Sequence, residues 1–206
     1  MKHLLFILLL FPISGYTQLS PEQETQLDSL RKVIKNAKHD STIVKAWKEW
    51  DNIVYLDDMD EGIRINIKMD SLCSANLKKT KKKDEKYFFT KYKGYALNCL
   101  AMYCTDKVQY AAAMDFLKES LKTYKEINYD EGISAVYINI GRIYMEKSDH
   151  KNALIYQKKA LAIKQKIKDL SGIATASLNI GNSYYNLGNY VEAIKYSTPA
   201  SRPLSN

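Results

Sequence analysis

Glycine and proline are scarce, at 8 and 4 of 206 residues. That excludes a collagen-like chain and one dominated by loops. Cysteine is nearly absent: Cys73, Cys99 and Cys104 form no CxxC pair and no cluster with histidine, which argues against a zinc site. His39 and His150 stand alone, as surface residues rather than ligands or bases. There is no Walker-type or GxGxxG loop for a phosphate. No Ser, Cys or Lys is grouped with a His and an acid as nucleophilic catalysis requires. The sequence therefore offers no catalytic residue, no metal ligand and no cofactor-binding motif. Long apolar runs are missing too. The one run, Leu4 to Phe11, is about half of the roughly 20 residues a spanning helix needs, and no later segment could cross a bilayer.

What is present is 46% apolar and 26% charged residues, with a net charge of +8 and 16 tyrosines. The apolar content is enough for a real core and excludes a mostly disordered chain. Abundant Lys, Ala, Leu and Tyr with little Gly or Pro predict an all-α protein. At the start, Lys2 and His3 precede the apolar run, Pro12 breaks it, and Ser14, Gly15, Thr17 and Gln18 follow. That is the order of a secretory signal peptide, read over 1–17. No Cys follows the run, so a lipid anchor is not supported. The mature chain is then expected outside the cytoplasm, periplasmic or secreted. Export would permit disulfides. Cys99 and Cys104, five apart on one expected helix, cannot bridge each other, whereas a bridge from Cys73 to either stays open. The plainer reading is three small buried apolar residues.

The run from Lys78 to Lys83 holds five lysines and Thr80. A patch for an anionic polymer or lipid is one reading. A solvated helix end and linker is the other, favoured because no aromatics interleave as in a strand-binding surface. Export also makes nucleic acid an unsuitable partner. Acid pairs such as Asp57-Asp58 and Asp84-Glu85 fall at helix ends, where they suit the helix dipole.

An internal repeat carries the architecture. Gly132 to Gly141 (GISAVYINIG) aligns with Gly172 to Gly181 (GIATASLNIG) at an offset of forty residues. The match continues as Tyr144 with Tyr184, Asp149 with Asn189, Ala153 with Ala193, Leu154 with Ile194, Tyr156 with Tyr196 and Ala160 with Ala200. A worn copy lies forty residues earlier, with Ala101, Cys104, Ala113, Met114, Phe116 and Leu121 at the equivalent places. Within a copy, Ile140, Gly141 and Tyr144 share one helical face, and Ala153, Tyr156 or Leu154, and Ala160 share another. Gly141 and Ala153 allow close approach of two axes. Tyr144 and Tyr156 are expected to fill the space between neighbouring pairs. Ser148-Asp149 and Gly188-Asn189 mark turns.

A large residue, Leu-Gly, Tyr, Ala, an aromatic and Ala in a helix-turn-helix is the pattern of the tetratricopeptide repeat family. This chain resembles it twice: in Tyr137, Ile140-Gly141, Tyr144, Ala153, Tyr156 and Ala160, and in Ile180-Gly181, Tyr184, Ala193, Tyr196 and Ala200. The resemblance covers about half the chain, from Leu97 to Ala200. It implies a right-handed solenoid of stacked antiparallel helix pairs, here about three to four. The family's usual repeat is about 34 residues, so a forty-residue period implies a longer second helix or linker. The closing proline of the pattern is absent at Gln165.

Upstream, Ser20-Pro21-Glu22-Gln23 reads as a helix start with a capping box, followed by a stripe of Leu27, Leu30, Ile34 and Ala37. Asp40 or Ser41 is expected to cap the next helix, which carries Ile43, Trp47, Trp50 and Val54, its tryptophans serving packing. Leu56 to Asp60 reads as a loop and Ile63, Ile67 and Leu72 as the stripe after it. Asp60-Glu61-Gly62-Ile63 recurs as Asp130-Glu131-Gly132-Ile133, off the forty-residue period, by chance or as a shared helix start. The expected organisation is a signal peptide over 1–17, an N-terminal helix over 18–40, a degenerate hairpin over 41–84, repeats over 85–129, 130–169 and 170–200, and a tail over 201–206. Pro199 and Pro203 leave the last repeat incomplete.

The family's register implies a groove lined by first-helix residues: Tyr95, Asn98 and Met102, then Ile138, Asn139, Arg142 and Glu146, then Asn179, Asn182 and Tyr185. Asn suits an extended peptide backbone and Arg142 a carboxylate. Only Arg142 with Asn139, Asn179 and Asn182 resembles the carboxylate clamp of chaperone-binding members, and a second clamp cation is missing. Asn139 and Asn179 serve equally well as hydrogen bonders between helices. The resemblance thus implies a non-catalytic scaffold or adaptor with a protein or peptide ligand. The alternatives are the input region of a two-component-type signalling receptor cut before its output domain, and a surface enzyme or carbohydrate-binding protein. The oligomeric state is not legible in the sequence.

Overall fold

The computed structural model describes residues 19–198. The signal-peptide segment, Pro199, Ala200 and the tail lie outside the described residues. Within them the chain forms α1 (Pro21–Lys35), α2 (Asp40–Val54), α3 (Met59–Lys79), α4 (Lys83–Asp106), α5 (Tyr110–Glu126), α6 (Asp130–Glu146), α7 (His150–Lys166), α8 (Leu170–Asn186) and α9 (Tyr190–Ser197). Each helix packs mainly on its neighbours in the chain, and α4 also touches α2 and α6. The first helices of successive pairs thus stand side by side, as in a stacked solenoid.

From α4 onward one three-residue turn recurs. Val108, Asn128, Ser148, Lys168 and Gly188, spaced twenty residues apart, all have left-handed backbone, with φ between 51 and 74°. The amide after each bonds back to the carbonyl five residues earlier, for example Tyr129 to Tyr124 at 3.0 Å and Asn189 to Tyr184 at 2.9 Å. This is the Schellman closure, which satisfies carbonyls a helix end would leave bare. The residue making that bond then opens the next helix. The Asp149, Asp169 and Asn189 side chains accept from the amides of Asn152, Gly172 and Glu192. The Asn152 side chain, with that backbone bond, holds the Asp149 carboxyl below the usual carboxylate range, and the Lys164 ammonium, with the Gly172 amide, does the same for Asp169. The expectation of a longer second helix is therefore corrected: α6 and α7 are 17 residues each. The extra length is shared equally, because the same turn serves within pairs and between them.

Two apolar clusters meet along α4. The first gathers Leu27, Val44, Trp50, Val54, Ile65, Met69, Cys73, Phe89 and Ala96. The second gathers Ala101, Ala113, Leu117, Tyr124, Ile133, Val136, Ile140 and Ile143. On α3 the buried stripe is Ile65, Asn66, Met69 and Cys73, while Ile67 is exposed, so the expected Ile63–Ile67 face is one step out of register. His39, rather than Asp40 or Ser41, occupies the cap position of α2, and the Asp40 carboxylate instead accepts from Asn76 at 2.8 Å on α3. The cysteines are free, and burial pushes the Cys73 thiol up to about 12.

Tyrosine rings against glycines set the spacing between pairs. The Tyr124 ring lies between Gly94 on α4 and Gly132 on α6, where an added Cβ on either glycine would come within 2.6 Å of it. Ser120 also donates to the Gly94 carbonyl at 2.8 Å. Gly62 accommodates Tyr103 of α4 in the same manner. The recurring Asp-Glu-Gly-Ile is thus a shared helix start at which glycine admits a neighbour's ring. Tyr144 and Tyr156, expected between pairs, instead stack on each other within one pair, centroids 5.6 Å apart. A buried polar knot joins the first hairpin to the repeats. Asp51 on α2 accepts from Asn66 at 2.5 Å, Tyr103 at 2.8 Å and Tyr95 at 3.1 Å. Three donors from two helices thereby satisfy a carboxylate that is 2% exposed.

Two outcomes are expected in thermal melts followed by circular dichroism. Gly132→Val forces a branched side chain into the Tyr124 ring and lowers stability by about 1–3 kcal/mol. Val108→Gly relieves a β-branched residue at φ 60° that is exposed, and raises stability by about 1 kcal/mol.

Candidate functional site

The residues expected to line a groove lie on α4, α6 and α8. Tyr95, Asn98 and Met102 rise from successive turns of α4. The Tyr95 hydroxyl is committed to Asp51 and to Asn52, at 3.1 and 3.2 Å, and burial with the nearby Asp51 charge pushes its phenol well above the ordinary range. Asn98 is buried and its side-chain oxygen accepts from Asn139 at 3.0 Å, a bond from α6 back to α4. This pair acts between helices. Asn179 is half-buried on α8 and Asn182 is exposed there.

Arg142 does hold carboxylates, but they are the protein's own. Its guanidinium bonds Asp106 at the end of α4 and Glu146 one turn on along α6, the latter at 2.9 Å. Those two partners hold its pKa above the ordinary value despite the opposing effect of burial. Asp106 also accepts from Tyr55 at 3.4 Å. Arg142 therefore ties α6 to α4 rather than offering a free cation. Tyr185 is exposed beside Tyr190, centroids 5.5 Å apart, at the far end of α8 and away from Tyr95 and Asn98.

A cleft the sequence reading did not single out lies where α2, α4, α5 and the start of α6 converge. It has a volume of about 330 Å³, and Lys48, Lys91, Tyr92, Tyr95, Tyr124 and Tyr129 are among its walls, with Asn98. Lys91 sits over the Tyr129 ring, 4.5 Å from its centroid. Among the described residues it forms no ion pair. Lys48 is paired only with its neighbour Glu49, at 2.9 Å, an exposed contact of little weight. Glu131, the acid at the rim, accepts from the Tyr129 hydroxyl. Gly132, also in the lining, lets the α6 backbone come against the Tyr124 ring. Its chemistry is one ammonium group over an aromatic ring, with a second lysine, Lys48, in the lining, suited to an anionic group on an apolar stem. Tyr124 recurs before a turn as Tyr144 and Tyr184 do, but convergence on two lysines from different helices has no linear trace.

A second cleft of about 530 Å³ lies by the α1–α2 turn, with Lys38, Lys45, Asp84 and Glu85 around Phe88 and Phe89. There charges of both signs face each other, and Lys45 lies over the Phe88 ring. Among the described residues there is no group of three or more His, Cys, Asp or Glu placed to hold a metal. No described helix is long and apolar enough to cross a membrane.

Comparison with known proteins agrees with this geometry. Two family models, each for the tetratricopeptide repeat, match residues 93–166 and 174–198. Among solved structures, the crystal structure of BtubC (BKLC) from P. vanneervenii is similar in fold, with a TM-score of 0.55 over 90% of this chain and 91% of that one, at 16% sequence identity. No curated protein matches the chain. Over residues 93–166 and 174–198, then, the paired helices and their recurring turn are similar to the tetratricopeptide repeat.

Proposed function

We propose that the chain is an exported, non-catalytic scaffold that binds an acidic segment of a partner protein in the cleft between α2, α4 and α6. The observation that carries this reading is that Lys48 and Lys91 line one cleft with Tyr92, Tyr95, Tyr124 and Tyr129, Lys91 lying over the Tyr129 ring. The first helices of the stack are held rigidly by Asn139–Asn98 and Arg142–Asp106. A ligand therefore meets a pre-ordered surface and loses little affinity to ordering the receptor. An extended peptide would place a carboxylate between the two lysines and an apolar neighbour on the tyrosine faces. Spare hydrogen-bonding capacity on Asn98 suits its backbone. The protein's excess of basic residues favours encounter with such a ligand.

Export rests on the order of Lys2, the run from Leu4 to Phe11, and Pro12. Cell fractionation followed by N-terminal sequencing checks it: the expected product lies outside the cytoplasm and begins near Gln18, and a cytoplasmic product starting at Met1 would refute export.

Binding is checked by fluorescence anisotropy with a labelled peptide of alternating Glu and Phe. Saturable binding that weakens as salt rises is expected. Lys48→Glu combined with Lys91→Glu should weaken it about tenfold or more, with helicity unchanged. Equal affinity in the double variant would sink the assignment.

A further inference from the structure

The helices α5 and α7 hold the same place in successive repeats, so the outward side of one is a reference for the other. Asp115, Lys118 and Glu119 on α5 correspond to Ile155, Lys158 and Lys159 on α7, and all six are exposed. On α5 the charges are met by partners. Lys118 pairs with Asp115 at 2.9 Å, and Glu119 with Lys93 at 3.1 Å. On α7 both acids are gone, one replaced by an apolar residue and the other by a cation. That helix holds five lysines and no Asp or Glu.

Lys164 and Lys166, in the last turn of α7, are paired with Asp169 and Asp130. Among the described residues, Lys151, Lys158 and Lys159 form no ion pair. Two of them are nevertheless held in place. Lys158 donates to the Tyr184 hydroxyl at 2.7 Å, and Lys159 lies over the Tyr156 and Tyr137 rings, 4.9 and 5.6 Å from their centroids. A ring or a hydroxyl positions an ammonium and leaves its charge uncompensated. Glu192 of α9 lies near enough to act on Lys158, but it is paired with Lys195 at 3.5 Å. At helical spacing Lys151, Ile155, Lys158, Lys159 and Ala162 fall on one face, within an arc of about 100° and over roughly 16 Å of axis. Ile155, 50% exposed, stands between the cations.

We propose that the outer face of α7 docks the protein peripherally on an anionic lipid bilayer. Lys151, Lys158 and Lys159 meet phosphate-bearing headgroups, and Ile155 enters the boundary between headgroups and acyl chains. Charge complementarity carries the assignment: three uncompensated ammonium groups stand on one side of one helix. Cations on long stems around a bare apolar residue are how a helix lies in the plane of a membrane interface. The stripe contains no amide or carboxylate for sugar hydroxyls and no aromatic for a nucleobase, so a bilayer fits it better than a polysaccharide or a nucleic acid. The face is separate from the cleft between α2, α4 and α6, and the inference stands whether or not that cleft binds a peptide.

Cosedimentation of the full chain with lipid vesicles tests this. Binding is expected to vesicles of phosphatidylglycerol and phosphatidylcholine in equal parts, weakening as salt rises, and not to phosphatidylcholine alone. Lys151→Glu with Lys159→Glu should weaken it about tenfold or more, with helicity unchanged. Lys32→Glu with Lys35→Glu on α1, an equal change of net charge, should alter it by less than about twofold. Ile155→Gln should weaken vesicle binding about threefold and leave binding to soluble dextran sulfate as it was. Absence of binding, or equal binding to both kinds of vesicle, would overturn the proposal. So would an equal loss in the α1 pair, since net charge alone would then account for the binding. Vesicle binding indifferent to Ile155→Gln would assign the face to a soluble polyanion and overturn it as well.

Discussion

The stack depends on one contact, an aromatic ring held between glycines of two successive first helices. Tyr124 on α5 fills the gap between Gly94 and Gly132, with no room for a Cβ on either side. Because interiors pack as tightly as crystals, this fixes the distance from α4 to α6. That distance decides that Asn139 can reach Asn98 and that Arg142 can reach Asp106. In the next pair Lys164 takes the place of Tyr124, its stem lying over Gly172 and its ammonium reaching Asp169 at 2.8 Å. A flexible aliphatic stem specifies position less sharply than a ring. The last repeat has correspondingly few buried apolar residues, Ala176, Ile180 and Ala193.

The first hairpin is joined to the repeats by different physics. Asp51 is buried with three neutral donors rather than with a cation. Directional hydrogen bonds from α3 and α4 set the angle of α2, since leaving such a group unsatisfied costs more than each bond yields. The Tyr95 hydroxyl bound there belongs to the same ring that walls the lysine cleft. The polar knot therefore fixes one side of the candidate site and Tyr124 the other. Packing in the two clusters that meet on α4 adds to these bonds in holding the cleft's walls.

The local plan was legible in the sequence because it rests on short-range rules. The forty-residue match, the Ser20 capping box and the Asp-Asn turn residues all act within a few residues of themselves. The shorter twenty-residue beat was concealed because its left-handed position is held by Val, Asn, Ser, Lys and Gly in turn. Only the hydrogen bonds, not the side chains, are common to the five. The stripe on α3 was misread for a related reason: Asn66 is buried there to serve Asp51, and a polar residue inside breaks the apolar pattern.

By itself the sequence determined an all-helical chain, its paired repeats and most of its helix starts, since periodicity and capping are properties of neighbouring residues. Tertiary structure alone decided which cations remain available. Arg142 is consumed by Asp106 from another helix, whereas Lys91 and Lys48 line one cleft. It also decided that Tyr185 and Ile194 stand exposed. Such outcomes depend on residues far apart in the chain meeting in space, 36 positions for Arg142 and Asp106, and that is set by how the pairs stack rather than by any pair alone.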